Sequence, residues 1–343
     1  KVLLWDAYNN DGSYYPMLNR AIAGLYPAAS TYKAFTGLAS LEMGAITPNS
    51  SYYCSGEWNA FNSGLMMKCW KTTGHGTLSL YGALVNSCDV YFYECAATFF
   101  YKSQSGEWSI NSLADIISKF GFNDLTGIDL EGEQKGRVPT DSWKRHYFAD
   151  NPEEAHWKGG DFANMMIGQG YVLTTPLQLA VAYGGIATGK LVKPHLLNEV
   201  KNSNGGIISK VEPEFISDID VKQDNLNAIR DGLHQVISGK SCYSYFKNVD
   251  FFDVAGKTGT AEIANHSETG IFAGYAPYDD PRYVITLFME ESGGSDTAIP
   301  IAAEMLAYCV RLEEGKADLN LSRLDGSTGR GQKRSTGSSG RSD

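Results

Sequence analysis

Ser30 and Lys33 stand three residues apart at the head of an apolar run through Phe35, Leu38, Ala39, Leu41 and Met43. Pro27 breaks the chain just before them. The apolar positions recur at helical intervals, so the pattern predicts a helix from about Ser30 to Met43 with the serine at or just inside its N-terminus. Free backbone N–H groups and the helix dipole favour negative charge there. A residue three places on shares the helix face, which puts the Lys33 amine within reach of the Ser30 hydroxyl. A serine hydroxyl is a weak nucleophile near neutral pH, and a neutral amine at hydrogen-bond distance is a sufficient base once burial or a nearby cation lowers its pKa. The pair therefore reads as a nucleophile with its own base. An N-cap serine followed by a solvated lysine is the alternative that these two residues alone leave open.

Two later stretches decide between them. Ser87, Cys88 and Asp89 resemble the SxN element of penicillin-recognising enzymes, and Lys257, Thr258, Gly259 and Thr260 resemble their KTG element, in the family's order after SxxK. The surrounding words agree: NRAIAGLYPAASTYK around the serine, GHGTLSLYGALVNSCDVYFYE around the second element, IGQGYVLTTPLQLA between, and VAGKTGTAE followed by FAGYAP at the third. From about Asn19 to Tyr308 the chain is similar to the transpeptidase domain of class B penicillin-binding proteins, of the penicillin-binding protein 2 type used in cell elongation.

The resemblance implies D,D-transpeptidation in peptidoglycan. Ser30 would attack the penultimate D-alanine carbonyl of a stem peptide, and an amine of a neighbouring stem would resolve the acyl-enzyme. β-Lactams would acylate the same serine, and the chemistry requires no cofactor. Ser87 would relay protons, and the backbone N–H groups of Ser30 and Thr260 would form the oxyanion hole. Lys257 would supply a fixed positive charge beside the cleft, with hydroxyls and donors from Thr258 and Thr260. Gly259 would let a substrate backbone lie close to the strand. Asp89 stands where asparagine is commoner; it could pair with Lys33 or orient the substrate amide. A β-lactam-hydrolysing or β-lactam-sensing protein of the same fold would share the three motifs, but no clear ExxLN element is present. A scaffold without activity is disfavoured by intact Ser30, Lys33, Ser87 and Lys257.

A second constellation overlaps the first. Cys54, Cys69, His75 and Cys88 lie within 35 residues, and three thiolates with one imidazole make a complete tetrahedral zinc set. The intervals are looser than a zinc finger's. An ion bound there would pin a poorly structured stretch to the loop carrying Ser87 and Asp89, and relatives of the elongation type resemble this arrangement. The competing reading is a Cys54–Cys69 disulfide in an oxidising compartment. Cys95, Cys242 and Cys309 read as packed thiols.

With 343 residues, 43% of them hydrophobic, the chain can bury one large core. Its net charge of −10 argues against a nucleic-acid partner. No apolar run is long enough to span a bilayer, and the first residues are no signal peptide. Class B proteins carry a membrane helix and a pedestal domain ahead of the transpeptidase, so the resemblance implies an N-terminally truncated domain over 1–314, with a sheet edge missing and the anchor absent. The expected location is the periplasmic face of the inner membrane, beside a glycosyltransferase of the elongation machinery.

These residues need elements to hold them. Residues 1–17 read as an irregular lead-in and 47–76 as an irregular excursion. Helices are expected over 78–86 and 90–101, placing Ser87–Asp89 in their connection. A further helix runs from Ile110 to Phe120 with Gly121 as C-cap, then loops from Asp124 to Trp157, a positional Gly168-Gln169-Gly170 turn, and a helix opened by Thr175-Pro176. A hairpin is expected over 196–211 around Asn204–Gly206, an amphipathic helix over 226–237, strands over 251–263, 271–276 and 283–289 with a last turn at Asp279–Pro281, and a closing helix over 298–311. Helices, antiparallel strands and a final helix imply an α+β fold, the antiparallel sheet flanked by helices. The basic Gly/Ser-rich stretch over 315–343 reads as a disordered tail.

Overall fold

The computed structural model describes residues 15–61, 64, 66–246, 253–263, 266–313 and 315. It divides into a unit over 1–306 and a second over 307–343. Within the first, an antiparallel sheet of three strands has the order β11-β10-β9: β9 is Ala255–Ala261, β10 Thr269–Ala276 and β11 Tyr283–Met289. β10 pairs Ala273 with Lys257 on one side and with Thr286 on the other. All eight of its residues are buried, as expected of a central strand covered on both faces. β9 has no further strand on its outer edge among the described residues.

The helix Lys33–Glu42 runs through the centre, buried at every position from Lys33 to Leu41. Phe35 meets the rings of Phe120, Phe122 and Tyr183 edge-on with centroids 4.9–5.5 Å apart. Aromatic contacts of this kind add about 0.5–1.5 kcal/mol each beyond the area buried. Helices Pro176–Thr188 and Gln223–Ser238 pack on the sheet. Thr175 and Gln178 close a capping box at the start of the former. This is the expected α+β arrangement.

Several local expectations are corrected. The excursion over 47–76 is not irregular throughout: Tyr52–Cys54 (β1) pairs with Gly76–Leu78 (β4), and Glu57–Trp58 (β2) with Met67–Lys68 (β3). Ladders of two or three residues are too short to show alternation. The stretch 124–157 holds two short helices, Asp141–Tyr147 and Pro152–Ala155, the first capped by Thr140 accepting from the Trp143 backbone N–H at 3.2 Å. Helices Gly159–Met166 and Lys240–Phe246 were not anticipated. The expected hairpin is present as Glu199–Lys201 (β6) with Ile207–Lys210 (β7), and it is flanked by an unanticipated ladder of Lys190–Lys193 (β5) with Glu214–Asp218 (β8). The last helix spans Ala298–Glu313, its end belonging to the second unit. Most of the lead-in (1–14), Phe251, Phe252 and the basic tail from 316 onward lie outside the described residues. Among the described residues no helix is long and apolar enough to cross a membrane.

Candidate active site

Ser30 sits on a tight turn of 3-10 helix, Ala29–Tyr32, and the α-helix proper begins at Lys33. The turn is fastened from several sides. The Ala29 backbone N–H donates to the Gly168 carbonyl at 2.9 Å, and the Tyr183 hydroxyl donates to the Thr31 carbonyl at 2.9 Å. Thr36, one turn on, donates to the Met166 carbonyl at 2.8 Å. The Gly168 turn is thus positional, and its glycine is required: at φ +72° a Cβ would stand 2.4 Å from the Ala29 carbonyl oxygen. Ala29 itself has φ +48° and Ser87 φ +51°. Left-handed backbone at a non-glycine residue costs about 1–3 kcal/mol and persists only where the surroundings hold it.

Helix Leu80–Val85 ends just before Ser87, and Asp89 opens helix Asp89–Gln104. The second motif therefore lies in a connection, aimed at Lys33. The Lys33 amine donates to the Ser87 carbonyl at 2.8 Å, to Ser87 Oγ at 3.3 Å and to Asp89 Oδ1 at 2.7 Å. Its three donors are used, and it makes no hydrogen bond with Ser30. That corrects the expected direct contact: the 3-10 turn precedes Lys33, and the amine is drawn across to the second motif. Asp89 pairs with Lys33, one of the two contacts expected of it. Burial alone would raise the Asp89 carboxyl, but the adjacent Lys33 ammonium and the Trp70 backbone N–H, 3.1 Å from Oδ2, hold it below the usual range.

Lys257 is buried on β9, and its amine donates to the Thr258 carbonyl at 3.2 Å. Burial first, and the Lys33 charge second, lower its pKa to about 7. Thr258 and Thr260 are half-buried on the same strand. A Cβ on Gly259 would meet Thr31 Cγ2 at 3.2 Å and the Ala28 carbonyl oxygen at 3.4 Å. β9 thus packs closely against the Ser30 turn at Gly259.

Cys54, Cys69, His75 and Cys88 converge, their donor atoms all within 4.8 Å of one another. His75 Nδ1 is 3.6 Å from Cys54 Sγ and 3.5 Å from Cys69 Sγ. Zinc bonds of about 2.3 Å to sulfur and about 2.0 Å to nitrogen give a tetrahedral S···N edge of about 3.5 Å, so the donor set fits. A hydrogen bond from Cys88 lowers Cys69 to about 5 against the effect of burial, while the same contact pushes Cys88 up. Neither Cys54 nor Cys69 is in a disulfide. His75 Nε2 is buried without a partner, unlike the usual outer hydrogen bond of a ligating imidazole. Cys95 and Cys242 are buried as expected, and Cys309 is half-buried. Trp70 and Tyr183, which hold Asp89 and the Ser30 turn, were not singled out from sequence; nothing in their spacing marks them.

Residues 5–307 match the family described as the penicillin binding protein transpeptidase domain. The chain is 33% identical over 313 residues to the peptidoglycan D,D-transpeptidase MrdA of Haemophilus influenzae, covering 85% of this chain and 46% of that protein. It is 29% identical over 322 residues to MrdA of Escherichia coli K12, covering 89% and 48%. The chain thus spans about half the length of the curated relatives it matches. Among solved structures, the complex of penicillin-binding protein PBP2 with MreC from Helicobacter pylori is similar at TM-score 0.76 and 31% identity, over 92% of this chain and 55% of that one. Pseudomonas aeruginosa PBP2 in complex with WCK 5153 is similar at TM-score 0.76 and 28% identity, over 93% and 68%. The chain belongs to the penicillin-binding protein transpeptidase domain family, and within it to the PBP2/MrdA type.

Proposed function

We propose that this domain cross-links peptidoglycan as a D,D-transpeptidase through an acyl-enzyme on Ser30. The observation that carries the reading is the convergence of Lys33, Ser87 and Asp89 behind the turn that presents Ser30. Lys33 acts in its unprotonated form, with a lone pair in place of one of its three N–H donors: Ser30 Oγ adds to the penultimate D-alanine carbonyl as its proton passes to that lone pair. The oxyanion is held by the backbone N–H groups of Ser30 and Thr260, a device worth about 3–4 kcal/mol per donor in other enzymes. The peptide C–N bond then breaks, and the departing D-alanine nitrogen takes a proton delivered through Ser87. An amine of a second stem attacks the ester, and Ser30 Oγ recovers its proton. Lys257 and the hydroxyls of Thr258 and Thr260 receive the carboxylate of the donor stem or of a β-lactam, and that carboxylate restores the charge that burial takes from Lys257.

Cys54, Cys69, His75 and Cys88 hold a structural zinc ion. The ion would tie the two short ladders of the 47–76 excursion to Cys88, between Ser87 and Asp89, and take no part in acyl transfer. By analogy with the complexes of its relatives, the protein works at the outer face of the cytoplasmic membrane, in the periplasm, with an MreC-like partner and a membrane glycosyltransferase. Incubation of the protein with a disaccharide pentapeptide and an amine acceptor tests the activity. Release of D-alanine matched by cross-linked product supports it. Release of D-alanine without cross-linking, or rapid loss of a penicilloyl label within seconds, identifies a hydrolase instead.

A further inference from the structure

Ser87 has left-handed backbone, and in that conformation it meets the Lys33 amine with both its carbonyl and its hydroxyl. Two groups flank it: the Asn86 carbonyl, which belongs to the peptide plane whose rotation sets φ of Ser87, and the Asp89 carboxylate. Both are held by one residue. The Trp70 indole N–H donates to the Asn86 carbonyl at 2.9 Å, and the Trp70 backbone N–H donates to Asp89 Oδ2 at 3.1 Å. The ring is 65% exposed, so the indole is not there to fill the core. It also approaches the His75 ring edge-on at 5.3 Å.

We infer that Trp70 is a positioning residue for acyl transfer, a clamp whose two N–H groups fix both ends of the Asn86–Asp89 connection and so keep Ser87 Oγ and Asp89 on Lys33. Released from the indole, the Asn86 peptide can rotate, Ser87 can relax to negative φ, and its carbonyl and hydroxyl, 2.8 and 3.3 Å from the Lys33 amine, withdraw. The kinetic consequence rests on the transpeptidase reading above; the conformational one does not.

The test replaces Trp70 by 3-benzothienylalanine, which keeps the ring shape and the backbone N–H but lacks the indole donor, with Trp70→Phe as a second variant. Trp58→Phe is the control. It also deletes an indole hydrogen bond, to Glu94 Oε1 at 2.8 Å, away from the connection. Two readouts are taken on each. Amide exchange of Ser87 and Cys88, which donate to the Leu84 and Ala83 carbonyls, should quicken about five-fold in both Trp70 variants, the equivalent of one hydrogen bond. Exchange there should stay unchanged in Trp58→Phe. The penicillin acylation rate constant should fall at least as much in the Trp70 variants with initial affinity unaltered, and remain at the parent value in Trp58→Phe. Unchanged exchange in the Trp70 variants overturns the inference, as does faster exchange with an unchanged acylation rate, or equal effects from Trp58→Phe. A parent protein that takes no label on Ser30 refutes the transpeptidase reading, while the exchange result still decides the clamp.

Discussion

Raising the pH through 7 should weaken the first encounter of the protein with any carboxylate-bearing β-lactam, because the lysine that meets the carboxylate has lost its proton. Lys257 is wholly buried; burial and the nearby Lys33 charge bring it down to about 7 from an ordinary lysine value. A carboxylate seated beside it favours the ammonium form again and returns the bound-state pKa toward about 10.4. The sign follows from that direction. Binding raises the pKa, so affinity is greatest below the free-state value near 7 and is lost as pH climbs toward the bound-state value. Linkage gives about 0.9 proton taken up per ligand at pH 8, and a fall in initial affinity of about a hundredfold between pH 6 and pH 9. Stopped-flow measurement of the initial-binding constant for a penicillin across that range provides the affinity, and a pH indicator in weak buffer provides the proton count. Lys257→Arg, which stays protonated throughout, should bind with little pH dependence. An affinity flat from pH 6 to 9 with no proton uptake at pH 8 would refute the reasoning.

Lys33→Arg should abolish acylation, since arginine cannot act as a neutral base, whereas Lys257→Arg should retain part of it; equal and complete loss in two folded variants would leave the two roles unsupported. Gly168→Ala should destabilise the protein by about 2 kcal/mol or more and slow acylation, because the new Cβ meets the Ala29 carbonyl at a left-handed residue. Gly205→Ala, also left-handed but with open space around it, should cost about 1 kcal/mol and leave acylation alone; denaturant melts and penicillin labelling check both. Protein purified without chelator should carry one zinc per chain by elemental analysis, and removing it should lower the melting temperature and slow acylation without ending it. Absence of zinc together with a Cys54–Cys69 bridge in peptide mass mapping would refute the metal site.

The elements legible in the sequence are those with long periodic patterns. The helix after Ser30 and the amphipathic helix ending near Ile237 carry enough apolar repeats to reveal face and type, β10 and β11 are apolar enough to read as strands, and Asn204–Gly206 marks its hairpin by turn chemistry. The zinc-like set was legible as donor chemistry. The two-residue ladder β2–β3 and the pairing of β5 with β8 were not, since ladders so short, or closed across twenty residues of intervening chain, leave no local period. The details of the site were hidden for a related reason. Helical spacing put Lys33 next to Ser30, but its partners come from 54 and 56 residues further on, and three donors satisfied there outweigh one neighbour on the same helix. Gly259 reads from sequence as room for a substrate backbone, and its close approach to Thr31 and Ala28 is fixed only by the fold. Trp70 carries no signal at all, because it acts through a backbone donor and an indole whose partners are fixed only by the fold.

The most direct test of the central claim is the site of penicilloylation. Incubation of the folded protein with a fluorescent penicillin, followed by digestion and peptide mapping, should place the label on Ser30 alone at one per chain. A label on any other residue, or none, would contradict it.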